Sequence, residues 1–210
     1  MNIKEKNIAS IAFEHLRQTL NLYFVIPEDS WQAYLQCCSF RSVAKDDIFY
    51  ALGETPLSLA FIHRGLIRAY VIDENGNEFN KNFFAEGRFP GSMTALIKDE
   101  ASNIEFQALE DSLLIYINHR QYRDVLFQDE ALMKFHIHYL EAHWLIEKES
   151  KEIGFLKYEA KHRYLSFLKD FDGILPRVPQ YHIASFLGIT PTPLSRIRKT
   201  LESSSYYQLM

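Results

Sequence analysis

The stretch Gln180-Tyr181-His182-Ile183-Ala184-Ser185-Phe186-Leu187-Gly188-Ile189-Thr190-Pro191-Thr192-Pro193-Leu194-Ser195-Arg196-Ile197-Arg198-Lys199 constrains this chain more than any other. It reads as two short helices joined by a sharp turn. The first helix needs a small residue where the second crosses it, and Ala184 is there. Four residues on, the chain must pass through a positive-φ position, which Gly188 adopts without a Cβ clash. Thr190 suits an N-cap, and Pro191 then falls at the first helical position, where a missing N–H costs nothing. Ile183, Leu187, Ile189, Leu194, Ile197 and Leu201 form the inward side. Thr192, Ser195, Arg196 and Lys199 share the opposite face, at offsets of three, four and seven.

That outward face is polar and cationic, with two small hydroxyl residues near its N-terminal end, so it suits a helix laid in the major groove of DNA. Arginine can donate two hydrogen bonds to guanine O6 and N7, which makes Arg196 the expected base reader. Arg198 and Lys199 are expected on phosphate. The charge distribution agrees. The chain carries a net charge of −4, yet residues 157–202 hold eight basic and four acidic side chains. An acidic body with a basic C-terminal quarter fits a protein in which one module alone meets phosphate.

Upstream, residues 5–23 repeat apolar side chains at three- and four-residue steps and predict an amphipathic helix. Pro27-Glu28-Asp29 opens a second short helix, predicted to reach about Cys38. From Phe40 to Asn118 the texture changes to short β-branched and aromatic segments. Ile48–Leu52, Leu59–His63, Leu66–Ile72, Glu78–Phe84, Glu105–Leu109 and Leu113–Ile117 are strand candidates. Asp73-Glu74-Asn75-Gly76 is a hairpin turn. Short strands at this spacing predict an antiparallel barrel or jelly roll.

Residues 119–153 lack turn signals and predict one long helix ended near Gly154. Leu132, Phe135, Tyr139, Ala142, Ile146 and Ile153 recur at heptad-like spacing, so this helix is expected to pair with a second copy of the chain. The expected organisation is α+β: residues 1–118 as an antiparallel β domain (a β-roll sensor, by the resemblance described below) with N-terminal helices, 119–155 as a dimerisation helix, and 156–210 as a helix-turn-helix domain.

Several classes are excluded or disfavoured. The longest apolar runs are five residues, against about 20 for a bilayer span, and Met1–Phe13 has no apolar signal-peptide core. The two cysteines, Cys37 and Cys38, are adjacent and do not make a disulfide framework, so a reducing cytoplasm is the expected setting. No nucleophile–base motif, P-loop or GxGxxG occurs, and no enzyme activity is expected. His63 alone lies on a strand, while His136, His138 and His143 lie on the long helix facing different ways, so no metal or other cofactor is expected. Asp46-Asp47 is read as a solvated turn.

With that motif in hand, the chain resembles the Crp/Fnr family of bacterial transcription regulators from about residue 20 to 201. The likeness is strongest over Ile183–Lys199. It extends to Gly65-Leu66-Ile67-Arg68-Ala69-Tyr70, Asn75-Gly76, Phe84-Ala85-Glu86-Gly87, Gly91 and Ala108-Leu109-Glu110-Asp111-Ser112. The resemblance implies a β-roll of the cyclic-nucleotide-binding type, a dimerisation helix and a DNA-binding domain. It also implies an inverted-repeat duplex, a second copy and RNA polymerase as partners.

Members that bind cyclic AMP carry Gly-Glu and, about eleven residues later, Arg followed by Ser or Thr. Here Gly91 keeps its place, but Ser92 stands for the glutamate, Ser102 for the arginine and Asn103 for the hydroxyl residue. A cyclic phosphate buried there would lack its cation, so the cassette reads as degenerate and the effector as unknown. Thr192 and Pro193 replace the family's usual Glu-Thr, so its usual operator is not expected. Nine residues follow Leu201, too few for a full β-wing. The alternative reading is a small-molecule-binding β-roll protein whose helix-turn-helix mediates protein contacts.

Overall fold

A computed structural model describes residues 3–203 of the chain. Helix α1 (Ile3–Asn21) and helix α2 (Glu28–Leu35) lead into strands β1 (Cys38–Val43), β2 (Ile48–Tyr50), β3 (Ser58–Arg64), β4 (Ile67–Ile72) and β5 (Glu78–Phe84). Helix α3 (Met93–Lys98) precedes strands β6 (Glu105–Ala108) and β7 (Ser112–Asn118). The strands form two antiparallel sheets, ordered β1-β7-β3 and β2-β6-β4-β5. This is the expected β-roll. The Asn-Gly turn joins β4 to β5, with Gly76 at φ +82°.

The roll is filled by its own side chains. Tyr50, Ile62, Ile67, Phe106 and Leu114 are buried between the sheets, with Phe49, Phe84 and Tyr116 packed against them. A second core joins α1 and α2 to the first sheet through Leu16, Leu20, Tyr34, Phe61, Ile115 and Ile117.

The strand and helix expectations need three corrections. The second helix ends at Leu35, and Cys38 already belongs to β1. That strand escaped detection because Ser39, Arg41 and Ser42 interrupt its apolar residues and only Val43 of the six is buried. Helix α3 is too short for a periodic signal.

The predicted long helix is interrupted. Helix α4 (His119–Leu126) stops before Phe127, and Asp129 restarts the chain by accepting a 2.9 Å hydrogen bond from the Leu132 amide. Helix α5 (Glu130–Leu140), a π-helical turn (Glu141–Ile146) and helix α6 (Glu147–Lys157) then run on as one 28-residue helix. A π turn holds more residues than an α turn and rotates whatever follows it. The six seam residues therefore do not share one face. Leu132, Phe135 and Tyr139 are buried against Tyr34, Phe89 and Tyr122 of the same chain. Ala142 is half-buried, whereas Ile146 and Ile153 are 66% and 50% exposed.

Helices α7 (Ala160–Asp170), α8 (Gln180–Phe186) and α9 (Pro191–Ser203), with a 3-10 turn at Asp172–Arg177, complete the described chain. The segment on which the β-wing expectation bears lies beyond Ser203, outside the described residues. No helix among the described residues is long and apolar enough to cross a membrane.

Candidate nucleic-acid interface and its mounting

The C-terminal helices fold as their residues dictate. Ile183, Ala184, Leu187, Leu194 and Leu201 are buried in one cluster, with Ile189 and Ile197 packed against it. Gly188 takes φ +67°. The Ile189 amide then donates to the Ala184 carbonyl at 3.0 Å, which closes the turn. Pro191 and Pro193 both sit in the first turn of α9, where neither removes an intrahelical hydrogen bond. Arg163 braces the turn from α7, donating to the carbonyl oxygens of Leu187 at 2.9 Å and Tyr158 at 2.8 Å.

Thr192, Ser195, Arg196 and Lys199 are all exposed, on the side of α9 away from Leu194 and Leu201; Thr190 is exposed just before the helix begins, and Arg198 is half-buried at the flank. The structure thus brings the predicted reading residues onto one accessible helix face. None of their side chains is drawn into an ion pair among the described residues. Thr200 and Ser203 instead bond backward to the carbonyls of Arg196 and Lys199.

Sequence reasoning missed how this module is mounted. Helix α8 lies on β5. The Ser185 hydroxyl accepts from the Asn80 amide at 3.0 Å and donates to the Glu78 carbonyl at 2.9 Å. The Asn80 side-chain amide donates to the His182 carbonyl at 3.1 Å. Arg68, almost fully buried on β4, donates to Gln107 at 2.7 Å and Glu78 at 2.5 Å, and its guanidinium lies 3.3 Å from His182 Nδ1. Burial, reinforced by the Arg68 charge and only partly opposed by Glu78 and Asp46, pulls the His182 pKa down to about 4.

A second polar contact fixes the 3-10 turn to the roll. Arg177 donates to both carboxylate oxygens of Glu86, at 2.9 and 3.0 Å, and to Glu110. Phe83 of β5 meets Phe167, Phe171 and Phe186 at ring-centroid distances of 6.0, 5.9 and 5.7 Å. An arginine interrupting the apolar Ile67–Tyr70 strand was the one sequence sign of this dock.

The roll is tied to the long helix by Glu147, which accepts from Arg88 at 2.9 Å, His143 at 2.9 Å and Lys151 at 2.7 Å. Burial pushes this carboxyl up. The hydrogen bonds from His143 and Lys151 and the Arg88 charge outweigh it and hold the group well below the usual carboxylate range.

At the cassette, Gly91 lies so close to Leu59 that an added Cβ would stand 2.9 Å from the Leu59 Cβ. Ser92 and Ser102 are buried and uncharged, and Asn103 is exposed. The Ser102 hydroxyl is used locally, donating to the Ile104 carbonyl at 2.7 Å and accepting from its amide at 3.1 Å. His63, the strand histidine, lies with its Nδ1 3.1 Å from that of His15. Among the described residues no group of three or more His, Cys, Asp or Glu is placed to hold a metal ion. Cys37 and Cys38 carry free thiols whose pKa values burial pushes up.

Residues 40–129 match the family described as Cyclic nucleotide-binding domain. No curated protein sequence matches the chain. Among solved structures, FixK2 from Bradyrhizobium japonicum superposes with a TM-score of 0.68 at 18% identity, covering 79% of this chain and 85% of that one. The c-di-GMP responsive global regulator CLP from Xanthomonas campestris gives 0.66 at 15% identity, covering 84% and 92%. A mutant of CooA from Carboxydothermus hydrogenoformans gives 0.63 at 18%, covering 80% and 78%. At these identities the likeness is one of fold. Residues 40–129 thus match the cyclic nucleotide-binding family, in a chain that shares the fold of these solved regulators.

Proposed function

We propose that this chain is a dimeric, sequence-specific DNA-binding transcription regulator in which α9 is the recognition helix. The observation that carries this reading is the free face of α9: Thr192, Ser195, Arg196 and Lys199 are exposed together, with Thr190 exposed at its start, while Leu194 and Leu201 anchor the helix from behind. Arg196 reads a guanine edge, and Arg198 and Lys199 hold phosphate. Two copies pair through the apolar side chains left exposed on the long helix, among them Leu145, Ile146, Ile153 and Leu156. The operator is an inverted repeat, with RNA polymerase as a further partner and the cytoplasm as the setting.

The sensor does not respond to cyclic AMP, because Ser92 and Ser102 offer neither a carboxylate for the ribose nor a cation for the phosphate. No catalytic step is assigned to the chain. The alternative, a helix-turn-helix used for protein contacts, draws on the docking of α8 on β5. That contact occupies α8 and leaves α9 uncovered, which favours the DNA-binding reading. Mobility shift of a two-fold symmetric duplex selected from random sequence tests it. A shift that weakens steeply with salt supports the proposal, and no shift at any salt concentration refutes it.

A further inference from the structure

Outside the β-roll, helices α3, α4 and α5 and the turns that follow α5 enclose a cavity of about 290 Å³. That is the small end of the range of ligand sites, roughly 300–1,000 Å³. Met93, Ile97, Leu126, Leu140 and Trp144 supply apolar walls. The ionisable side chains on the lining, besides Tyr122, are all of basic type: His119, Arg123, His136 and Lys148. No carboxylate lines the cavity, although the chain as a whole is acidic, with a net charge of −4.

The basic groups are held in place. The Arg123 guanidinium lies 4.8 Å from the centre of the Phe127 ring, a contact that leaves its N–H edge free to donate. Lys148 is exposed, and its only ion pair among the described residues is a 3.5 Å contact to Glu152, itself exposed. The Tyr122 hydroxyl lies 3.0 Å from His136 Nδ1. Burial, then the charges of Arg123 and His119, pull His136 to about 4, and burial with Arg123 lowers His119. At neutral pH both rings are therefore neutral and can each donate one hydrogen bond, with Arg123 and Lys148 the cations.

Apolar walls beside two cations, Arg123 in no ion pair among the described residues and Lys148 in an exposed one only, suit one ligand class. An apolar body alone would leave Arg123 without an anionic partner. A highly charged ligand would strand its charge against Met93, Ile97 and Trp144. We propose that this cavity binds a small carboxylate with an apolar body, its head group on Arg123 and Lys148 and its body against Ile97, Leu140 and Trp144. Met93 and Ile97 link the site to α3, between Ser92 and Ser102, and Leu140 and Trp144 link it to the long helix. It goes beyond the DNA-binding reading and does not depend on it, because binding is read without DNA.

Titration calorimetry on the full chain with benzoate and octanoate, against benzamide and octanamide, tests the site. The carboxylates should bind and the amides bind at least about tenfold more weakly, the value of one charge-assisted hydrogen bond. Arg123→Gln and the exposed Lys148→Gln should each weaken the carboxylates by a similar factor, and Ile97→Trp, which fills the mouth from a surface position, should abolish binding. Circular dichroism checks that each variant folds, and Lys148→Gln keeps the test open if Arg123→Gln does not. No heat at millimolar carboxylate, equal binding of acid and amide, or binding unchanged in Lys148→Gln and Ile97→Trp would overturn the proposal.

Discussion

Arg196 and Arg198 are two residues apart, yet their surroundings differ. Arg196 is exposed one turn beyond Thr192, while Arg198 is half-buried at the flank of α9. Arg196→Ala is expected to cost about 1–3 kcal/mol on the operator and to relax preference at one base position per half-site. Lys199→Ala is expected to weaken all duplexes alike and to reduce the salt slope by about one counterion. Anisotropy titrations on operator and random duplexes distinguish these effects. An Arg196→Ala loss that is equal on both would move base reading to Thr192, Ser195 or DNA shape.

The buried His182 gives the dock of α8 a pH dependence whose sign is set by its neighbours. Its pKa is about 4 in the folded chain and near 6.5 when exposed, so the unfolded or undocked form binds more protons between these values. The stabilisation from the neutral ring is complete above about 6.5 and is lost as pH falls from there toward 4. The thermal midpoint should drop between about pH 7.5 and about pH 5, and His182→Asn should drop less. An identical pH response in the variant would assign the effect to other groups, His136 among them.

At the scale of the element, the long helix divides into two halves with different surroundings. Leu132, Phe135 and Tyr139 are claimed by the chain's own roll, and the apolar side chains beyond the π turn remain uncovered. Ile153→Glu should therefore give monomers in sedimentation while leaving the thermal midpoint nearly unchanged, whereas Leu132→Ala should cost about 2–5 kcal/mol of folding stability. The sequence made the helix legible but not its partners, because a heptad-like pattern looks the same whether the facing surface is another copy or the same chain. The break at Phe127–Asp129 carried no Gly or Pro, and only the capping residue Asp129 marked it. The α8–α9 turn was fully legible, since Ala184, Gly188 and Pro191 each meet a local steric demand. The dock was not, because Arg68, Asn80 and His182 are far apart in sequence and meet only through the fold.

At the scale of the whole molecule, a filled β-roll is joined to a helix whose apolar side chains are uncovered at its far end and to a docked module that presents α9, the recognition helix proposed above. The filled roll and the uncharged Ser92 and Ser102 predict that calorimetry with cyclic AMP gives no binding in the micromolar range. A cyclic phosphate seated in the roll would contradict that. Pairing through the long helix predicts two recognition helices about 34 Å apart, one turn of DNA. The most direct test of the central claim is anisotropy of a selected two-fold symmetric duplex against single half-site and scrambled duplexes, across a salt series. The account predicts that two chains bind the symmetric duplex far more tightly than either control, with a steep loss of affinity as salt rises. Equal, weak binding to all three duplexes, or binding by one chain at a time, would contradict it.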